Sequence, residues 1–289
     1  MTRYNFNYKD QIEDRRYTND MSDKIHPTAV IASSAQIGSN VTVGPYTVVD
    51  EGAVIGDNTM LDAHVVIGKE TKMGENNRVF AGAVIGRPPQ ILGFDDNTKI
   101  GGLQIGNNNI IREFVTIHPS MFADENTIVG NGNLLMINVH LGHDCVLEDK
   151  IVISNATQVS GHCKIETGVW LSGNVLTHQF VTIGKWCYAA GLTGINHDVP
   201  PYVIVSGHYP MEVRAINKRG LMRSGIAPEQ QKEVYRAFKF IWRNNGPILE
   251  RATELAAGGD LEAPVQEIVD ALVRGSKQRF GRHLELFRD

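Results

Sequence analysis

Cysteine is scarce in this sequence: there are three, Cys145, Cys163 and Cys187. Three thiols cannot staple a disulfide scaffold, and their spacing fits no zinc-binding pattern. Long apolar runs are missing too. None approaches the ~18 residues that a membrane-spanning helix needs, so no membrane span is expected. The opening stretch, MTRYNFNYKDQIEDRRYTND, is polar and charged and lacks the apolar block of a secretory signal. Residues 1–24 therefore read as a flexible N-terminal extension, Met21 would make a more ordinary start, and the protein reads as cytoplasmic. Nor does charge of one sign dominate. A net charge of −4 with 42% hydrophobic and 21% charged residues is ordinary for a soluble globular protein, and no nucleic-acid partner is expected. The charge is uneven, however: residues 211–289 hold 14 Lys/Arg against 11 Asp/Glu, leaving 14 against 21 for residues 1–210. A modestly basic C-terminal region suits an acidic partner, and equally a solvated helical surface.

What the chain does have is a repeat. Every sixth residue from Ile37 to Ile85 is aliphatic or Met. The phase is lost after Ile85, resumes at Ile105, Ile111 and Ile117, runs from Val129 to Leu171, and returns at Ile183 and Ile195. A period of six fits neither a helix nor the alternation of one sheet face. It fits short parallel strands joined by tight corners, three hexapeptides closing a triangular coil of about 18 residues with the repeating aliphatic inside. Stacked at ~4.8 Å, residues 25–201 would make about ten coils, a prism roughly 45–50 Å tall. The expected fold is mainly β: a parallel β-helix over residues 25–205, then an α-helical domain over 206–289.

Two stretches leave the pattern, GRPPQILGFDDNTKIGGLQ at 86–104 and HPSMFADENTI at 118–128. Excursions from a repetitive prism are where functional loops are expected. Beyond Pro200 and Pro201 the repeat ends. Pro228 marks a helix start, and further helices are expected near 247–257, near 263–274 and at the C-terminus.

The coil converts sequence separation into contact. Gly161 follows His143 by one coil, so the two share a corner, with His162 beside them and His178 nearly two coils beyond His143. His140, His143, Gly161, His162 and Gln179 are thus expected along one edge. Cys145 and Cys163 have the same one-coil spacing, which permits a disulfide, although a reducing cytoplasm favours two small buried hydrophobes. The histidine edge has three readings. It could be polar decoration of a corner. It could hold a metal, but zinc needs three convergent nitrogens and an open position, and these histidines lack the spacing of the zinc-binding γ-type carbonic anhydrase prisms, so no metal is expected. An acid–base role fits better: a neutral imidazole can take a proton from a hydroxyl as it attacks a carbonyl. Asp144 would hold the ring's tautomer if the corner turns both side chains one way, since neighbours on a straight strand point apart. Gly161 would aim its backbone N–H at the developing oxyanion.

Five stretches carry a resemblance: IREFVTIH (111–118), NLLMINVHLGHDC (133–145), NATQVSGH (155–162), THQF (177–180) and DVPPYVI (198–204). With them the chain resembles the acyl-(acyl carrier protein)–UDP-N-acetylglucosamine O-acyltransferase family, the first enzyme of lipid A synthesis, from about residue 25 to the C-terminal helices. The resemblance implies a left-handed coil and a homotrimer with sites between adjacent prisms. It implies a (3-hydroxy)acyl chain carried on the phosphopantetheine of acyl carrier protein, which docks on the basic C-terminal surface, and no separate cofactor. The acceptor would be the 3-position of UDP-N-acetylglucosamine. By position, His143 matches the general base, Asp144 its neighbour and Gly161 the oxyanion donor. His162 and Gln179 match sugar contacts, Gln90 and His178 further substrate contacts, and His140 lines the cleft near the acyl donor. Gly191 matches the position that limits acyl-chain length, and Asn217 and Arg223 match nucleotide contacts.

The sequence also departs from that pattern. The family's first loop usually reads Pro-Gln-Asp-Leu-Lys, with the two charges meeting the sugar; here it reads Pro89-Gln90-Ile91-Leu92-Gly93. Arg219 replaces a usual Glu and Ser224 a usual Arg. Alternatives that stay open are a related acyltransferase using another nucleotide sugar or acyl-coenzyme A, and a non-catalytic binding or assembly prism.

Overall fold

A computed structural model describes residues 24–95 and 97–288. All but the last residue of the expected N-terminal extension lies outside the described residues. From Val30 onward the chain winds a triangular prism from strands of mostly two residues. Among the described residues they form three sheets, of nine, eight and ten strands. The first face begins with Val30–Ile31, the second with Gln36–Ile37 and the third with Thr42–Val43. Successive strands on a face are parallel, as in Val30 opposite Val48 and Val48 opposite Val66, so one coil advances the chain by 18 residues. The coil is left-handed, against the hand usual for parallel crossovers.

The six-residue period is the period of the core. The second residue of almost every strand points inward, and Ile55, Leu61, Ile67, Leu135 and Leu147 are fully buried. Each such side chain contributes roughly 1.5–3 kcal/mol by leaving water. The corners need a residue at positive φ: Asn40, Asn58, Asn76 and Asn108 take it along one edge, with φ of 57–58°. Asn tolerates that region better than most residues. Corner N–H groups inside the prism are met by an Asn ladder. Asn77 Oδ1 accepts from Asn109 N–H, Asn109 Oδ1 from Asn133 N–H (both 2.9 Å), and Asn133 Oδ1 from Ile151 N–H (2.8 Å).

The two excursions interrupt the stack without breaking it, since Val84 pairs with Thr116 and Thr116 with His140. Both end sooner than expected, because Gly102–Ile105 and Asn126–Val129 are four-residue strands that pair with each other. The third face also runs past residue 205. Val203–Ser206 pairs antiparallel with Glu212–Ile216, a hairpin that covers the otherwise open sheet edge. Four helices follow: α1 (Lys218–Arg223), α2 (Pro228–Arg243), α3 (Ile248–Ala257) and α4 (Ala263–Ser276), then a 3-10 turn at His283–Phe287. The first was not expected from the sequence. Helix α4 is tied to the prism by Lys185 Nζ to Glu267 at 2.6 Å and by the Tyr202 hydroxyl to the same carboxylate. The three cysteines are free and buried.

Candidate active site

The edge between the first and second faces carries His143 and Asp144, in the corner between strands His140–Leu141 and Val146–Leu147. Asp144 has φ +60°, a left-handed conformation that Asp adopts more readily than most residues. That twist undoes the alternation of a straight strand, so both side chains leave the corner together. His143 Nδ1 lies 2.6 Å from Asp144 Oδ2. His162 and Phe180 occupy the equivalent positions on the next two coils, at φ +60° and +66°. Their rings stack 4.5 Å apart at 6°, and His162 meets His143 edge-on at 4.9 Å.

Gly161 precedes His162 as His143 precedes Asp144. A Cβ on Gly161 would come within 2.8 Å of His143 Cε1, so glycine is what lets the imidazole lie across the next coil. Among the described residues no backbone acceptor takes the Gly161 N–H. A Cβ on Gly142 would fall 2.6 Å from that nitrogen, so the second glycine keeps its approach open.

Burial works against the charge on Asp144, but hydrogen bonds from His143 and Ser120 together with the nearby His162 outweigh it and hold the carboxyl below its usual range. An ionised Asp144 takes a hydrogen bond from His143 Nδ1–H, which leaves the Nε2 lone pair free to accept a proton. Burial pushes His162 down, against the pull of Asp144. Burial, with His118 and His143 close by, pushes His140 down to about 4. Both rings are therefore neutral near pH 7. His143, Asp144 and His162 also offer potential metal-ligand atoms within 4.8 Å of one another. Yet 2.6 Å between His143 Nδ1 and Asp144 Oδ2 is shorter than the ~3.3 Å between two ligands of a tetrahedral zinc with bonds near 2.0–2.1 Å. A shared proton fits that gap; a shared zinc does not.

The remaining expected residues are distributed around this corner. His140 points out from the first face, its Nδ1 2.9 Å from Thr116 Oγ1 and its ring 5.2 Å from that of His118. Gln90 lies beside His118, Nε2 to Nε2 at 3.5 Å. His118 in turn pins the first excursion by donating from Nδ1 to the Arg87 and Pro88 carbonyls, each at 2.9 Å. His178 and Gln179 line a 300 Å³ cleft over the first face, next to Ser160 and Leu176. Asn217 and Arg223 stand apart, in a 780 Å³ cleft with Trp170, Trp186 and Tyr188. Asn217 caps α1: its Oδ1 accepts from Gly220 N–H at 3.1 Å and its Nδ2 donates to the Trp186 carbonyl at 2.7 Å. Arg223 lies over the Trp170 ring at 5.4 Å. Gly191 sits at the other edge of the first face, where a Cβ would meet only the Gly173 carbonyl, at 3.4 Å.

Sequence reasoning passed over Ser120, Thr127, His118 and Phe180. The one-coil spacing from Asp144 through His162 reaches Phe180 and could have found it. Nothing in the repeat points to Ser120 or Thr127, because they lie in or beside an excursion.

A histidine paired with a carboxylate at 2.6 Å, beside an open backbone N–H on a prism of hexapeptide repeats, places the chain in the hexapeptide-repeat acyltransferase class. Residues 198–281 match the family profile described as Udp N-acetylglucosamine O-acyltransferase, domain 2. The chain is 41% identical over 253 residues to the acyl-(acyl carrier protein)–UDP-N-acetylglucosamine O-acyltransferase of Paraburkholderia phymatum, covering 86% of this chain and 95% of that one. It is 40% identical over 170 residues to the enzyme of the same name from Gloeothece citriformis, an alignment over 59% of this chain that spans 61% of that relative's length. The crystal structure of LpxA, a UDP-N-acetylglucosamine acyltransferase, from Bacteroides fragilis 9343 superposes with a TM-score of 0.80 at 35% identity, over 86% of this chain and 96% of that one. The chain belongs to the acyl-(acyl carrier protein)–UDP-N-acetylglucosamine O-acyltransferase family.

Proposed function

We propose that the chain transfers a (3-hydroxy)acyl group from the phosphopantetheine thioester of acyl carrier protein to the 3-hydroxyl of UDP-N-acetylglucosamine, the first step of lipid A synthesis. One observation carries this reading beyond the family likeness: the Asp144–His143 pair at 2.6 Å lies across Gly161. His143 Nε2 takes the proton of the sugar hydroxyl as its oxygen attacks the thioester carbonyl. The Gly161 N–H donates to the oxyanion that forms, and Asp144 stabilises the imidazolium. Collapse expels the thiolate, which takes the proton back from His143. The products are an acyl ester and a free carrier thiol, and the reaction balances without a metal or cofactor.

His162, His178 and Gln179 stand one and two coils beyond the base, where they suit the sugar, while Gln90 and His140 flank it from the first-excursion side. Asn217 and Arg223 would meet the nucleotide from the aromatic cleft, and Gly191 would end the acyl groove across the first face. A homotrimer is supported by apolar side chains exposed on or beside that face, among them Leu176 and Leu192, and docking of the acidic carrier by the basic C-terminal region. No helix among the described residues is long and apolar enough to cross a membrane, in keeping with work in the cytoplasm on soluble substrates. The test is a thiol-release assay with acyl carrier protein or coenzyme A as donor carrier. Turnover that needs the carrier protein and UDP-N-acetylglucosamine supports the reading; turnover with acyl-coenzyme A alone, or none, overturns it.

A further inference from the structure

The second excursion, which begins at His118, closes on Asp144. Ser120 is fully buried. Its hydroxyl reaches Asp144 Oδ1 and accepts the Phe122 N–H at 3.0 Å. A serine hydroxyl has one proton. Its possible acceptors are the ionised carboxylate and the Phe122 carbonyl at 3.2 Å, and a charged acceptor makes the stronger bond. Met121 N–H adds a longer contact to Asp144 Oδ2 at 3.4 Å. Beyond the other end of the loop, buried Thr127 accepts the Asp144 N–H on Oγ1 at 2.8 Å. The loop and the strand it leads into thus grip a single residue, by its carboxylate and by its backbone, while Oδ2 faces His143.

We infer that Ser120 is a positioning residue for the acyl transfer: its hydroxyl fixes the Asp144 carboxylate so that Oδ2 keeps the His143 proton on Nδ1 and leaves Nε2 as the base. This rests on His143 being that base. The terminal torsion of Asp is broad and roughly two-fold, so only its hydrogen bonds decide which oxygen faces the ring. Without Ser120 the carboxylate can turn, and the imidazole can carry its proton on either nitrogen.

The tautomer is read directly by nitrogen-15 NMR of the imidazole in the resting protein, a measurement that needs no substrate. The wild type is expected to hold His143 as the Nδ1–H tautomer, and Ser120→Ala to show a mixture. In turnover, Ser120→Ala is expected to lower kcat about 10-fold with both KM values within about 2-fold, and to cost less than about 2-fold when added to Asp144→Ala. Ser120→Cys, which keeps a weak donor in similar volume, should recover part of the loss and serves if the alanine variant melts early. A wild-type tautomer in Ser120→Ala, or an equal loss with and without Asp144, overturns the inference. A chain that turns over neither donor would refute the proposed reaction, and the tautomer measurement would still decide the role of Ser120.

Discussion

The imidazole of His143 lies across the Cα of Gly161, one coil along the prism, where a Cβ would stand 2.8 Å from Cε1 and 2.9 Å from Nε2. One glycine therefore does two things: it makes room for the imidazole and presents a backbone N–H beside it. Gly161→Ala should move the ring off that N–H. We expect kcat to fall about 10²–10³-fold, the cost of losing an oxyanion donor, with the melting temperature nearly unchanged because the residue is at a corner. Near-normal turnover in this variant would separate Gly161 from the reaction.

His143→Ala should abolish measurable turnover and leave oligomeric state and thermal stability nearly intact. Removing a general base typically costs about 10²–10⁴ in rate, and the His143 side chain, though buried, lies outside the aliphatic core of the prism. Steady-state assay beside size-exclusion chromatography checks both halves. More than a tenth of wild-type activity would remove His143 from the role.

Gly191 keeps one edge of the first face bare, so long acyl chains should be accepted. Gly191→Met should shift preference toward shorter donors, since each excluded methylene forfeits ~0.8 kcal/mol of burial. A donor series of increasing length, assayed at fixed acceptor, reads the change. An unchanged profile would place the end of the groove elsewhere.

The prism was legible because its repeat is enforced by burial: a residue such as Leu135 or Ile153 has nowhere else to point. The stack of His143, Gly161 and His162 followed from the same one-coil arithmetic. Whether Asp144 would face His143 was not legible, because it depends on a backbone angle at the corner rather than on spacing. Ser120 was hidden for a different reason: an excursion has no period, so its contacts depend on a loop path that no repeat dictates. The resemblance implies Asn217 as a nucleotide contact; the structure adds a second role, its amide bonding Gly220 and Trp186 while one N–H and one lone pair stay free. A capping role of that kind depends on helix α1, which the sequence pattern did not mark.

Stability should depend on pH through His140. Burial lowers its value from 6.5 to about 4 in the folded chain, so between those limits the unfolded chain binds the extra proton. Stability is then complete above about pH 6.5 and declines as pH falls toward 4, because protonation favours the unfolded state. His162, lowered by the same cause, adds to the slope in the same direction. Melting temperatures from pH 7 to pH 4 should fall less steeply in His140→Gln than in the wild type. Parallel curves would show that His140 does not contribute.

The acceptor pocket is where this chain departs most from its relatives' pattern as read from the sequence. A carboxylate and an ammonium in the first excursion would each contribute about 1.5–3 kcal/mol through charged hydrogen bonds. Here Gly93 has nothing within 4 Å of where a side chain would start, and Leu92 is fully exposed at the tip. Asp95 does not replace the lost charge, since its carboxylate is engaged by Asn97 N–H at 2.8 Å and by Thr98 Oγ1 at 3.2 Å. Arg219 lines the aromatic cleft proposed above for the nucleotide, at a position where the resemblance implies an acid. Two missing charged contacts should weaken the sugar far more than they change the chemistry, because the proposed base His143 and the proposed oxyanion donor Gly161 are both present. UDP-N-acetylglucosamine should therefore be turned over but bind weakly, and a less polar UDP- or dTDP-sugar should compete well with it. A panel of such sugars at one fixed acyl donor, read as kcat and KM separately, tests this. Micromolar affinity for UDP-N-acetylglucosamine with full turnover would show that the loop backbone supplies what the side chains lack.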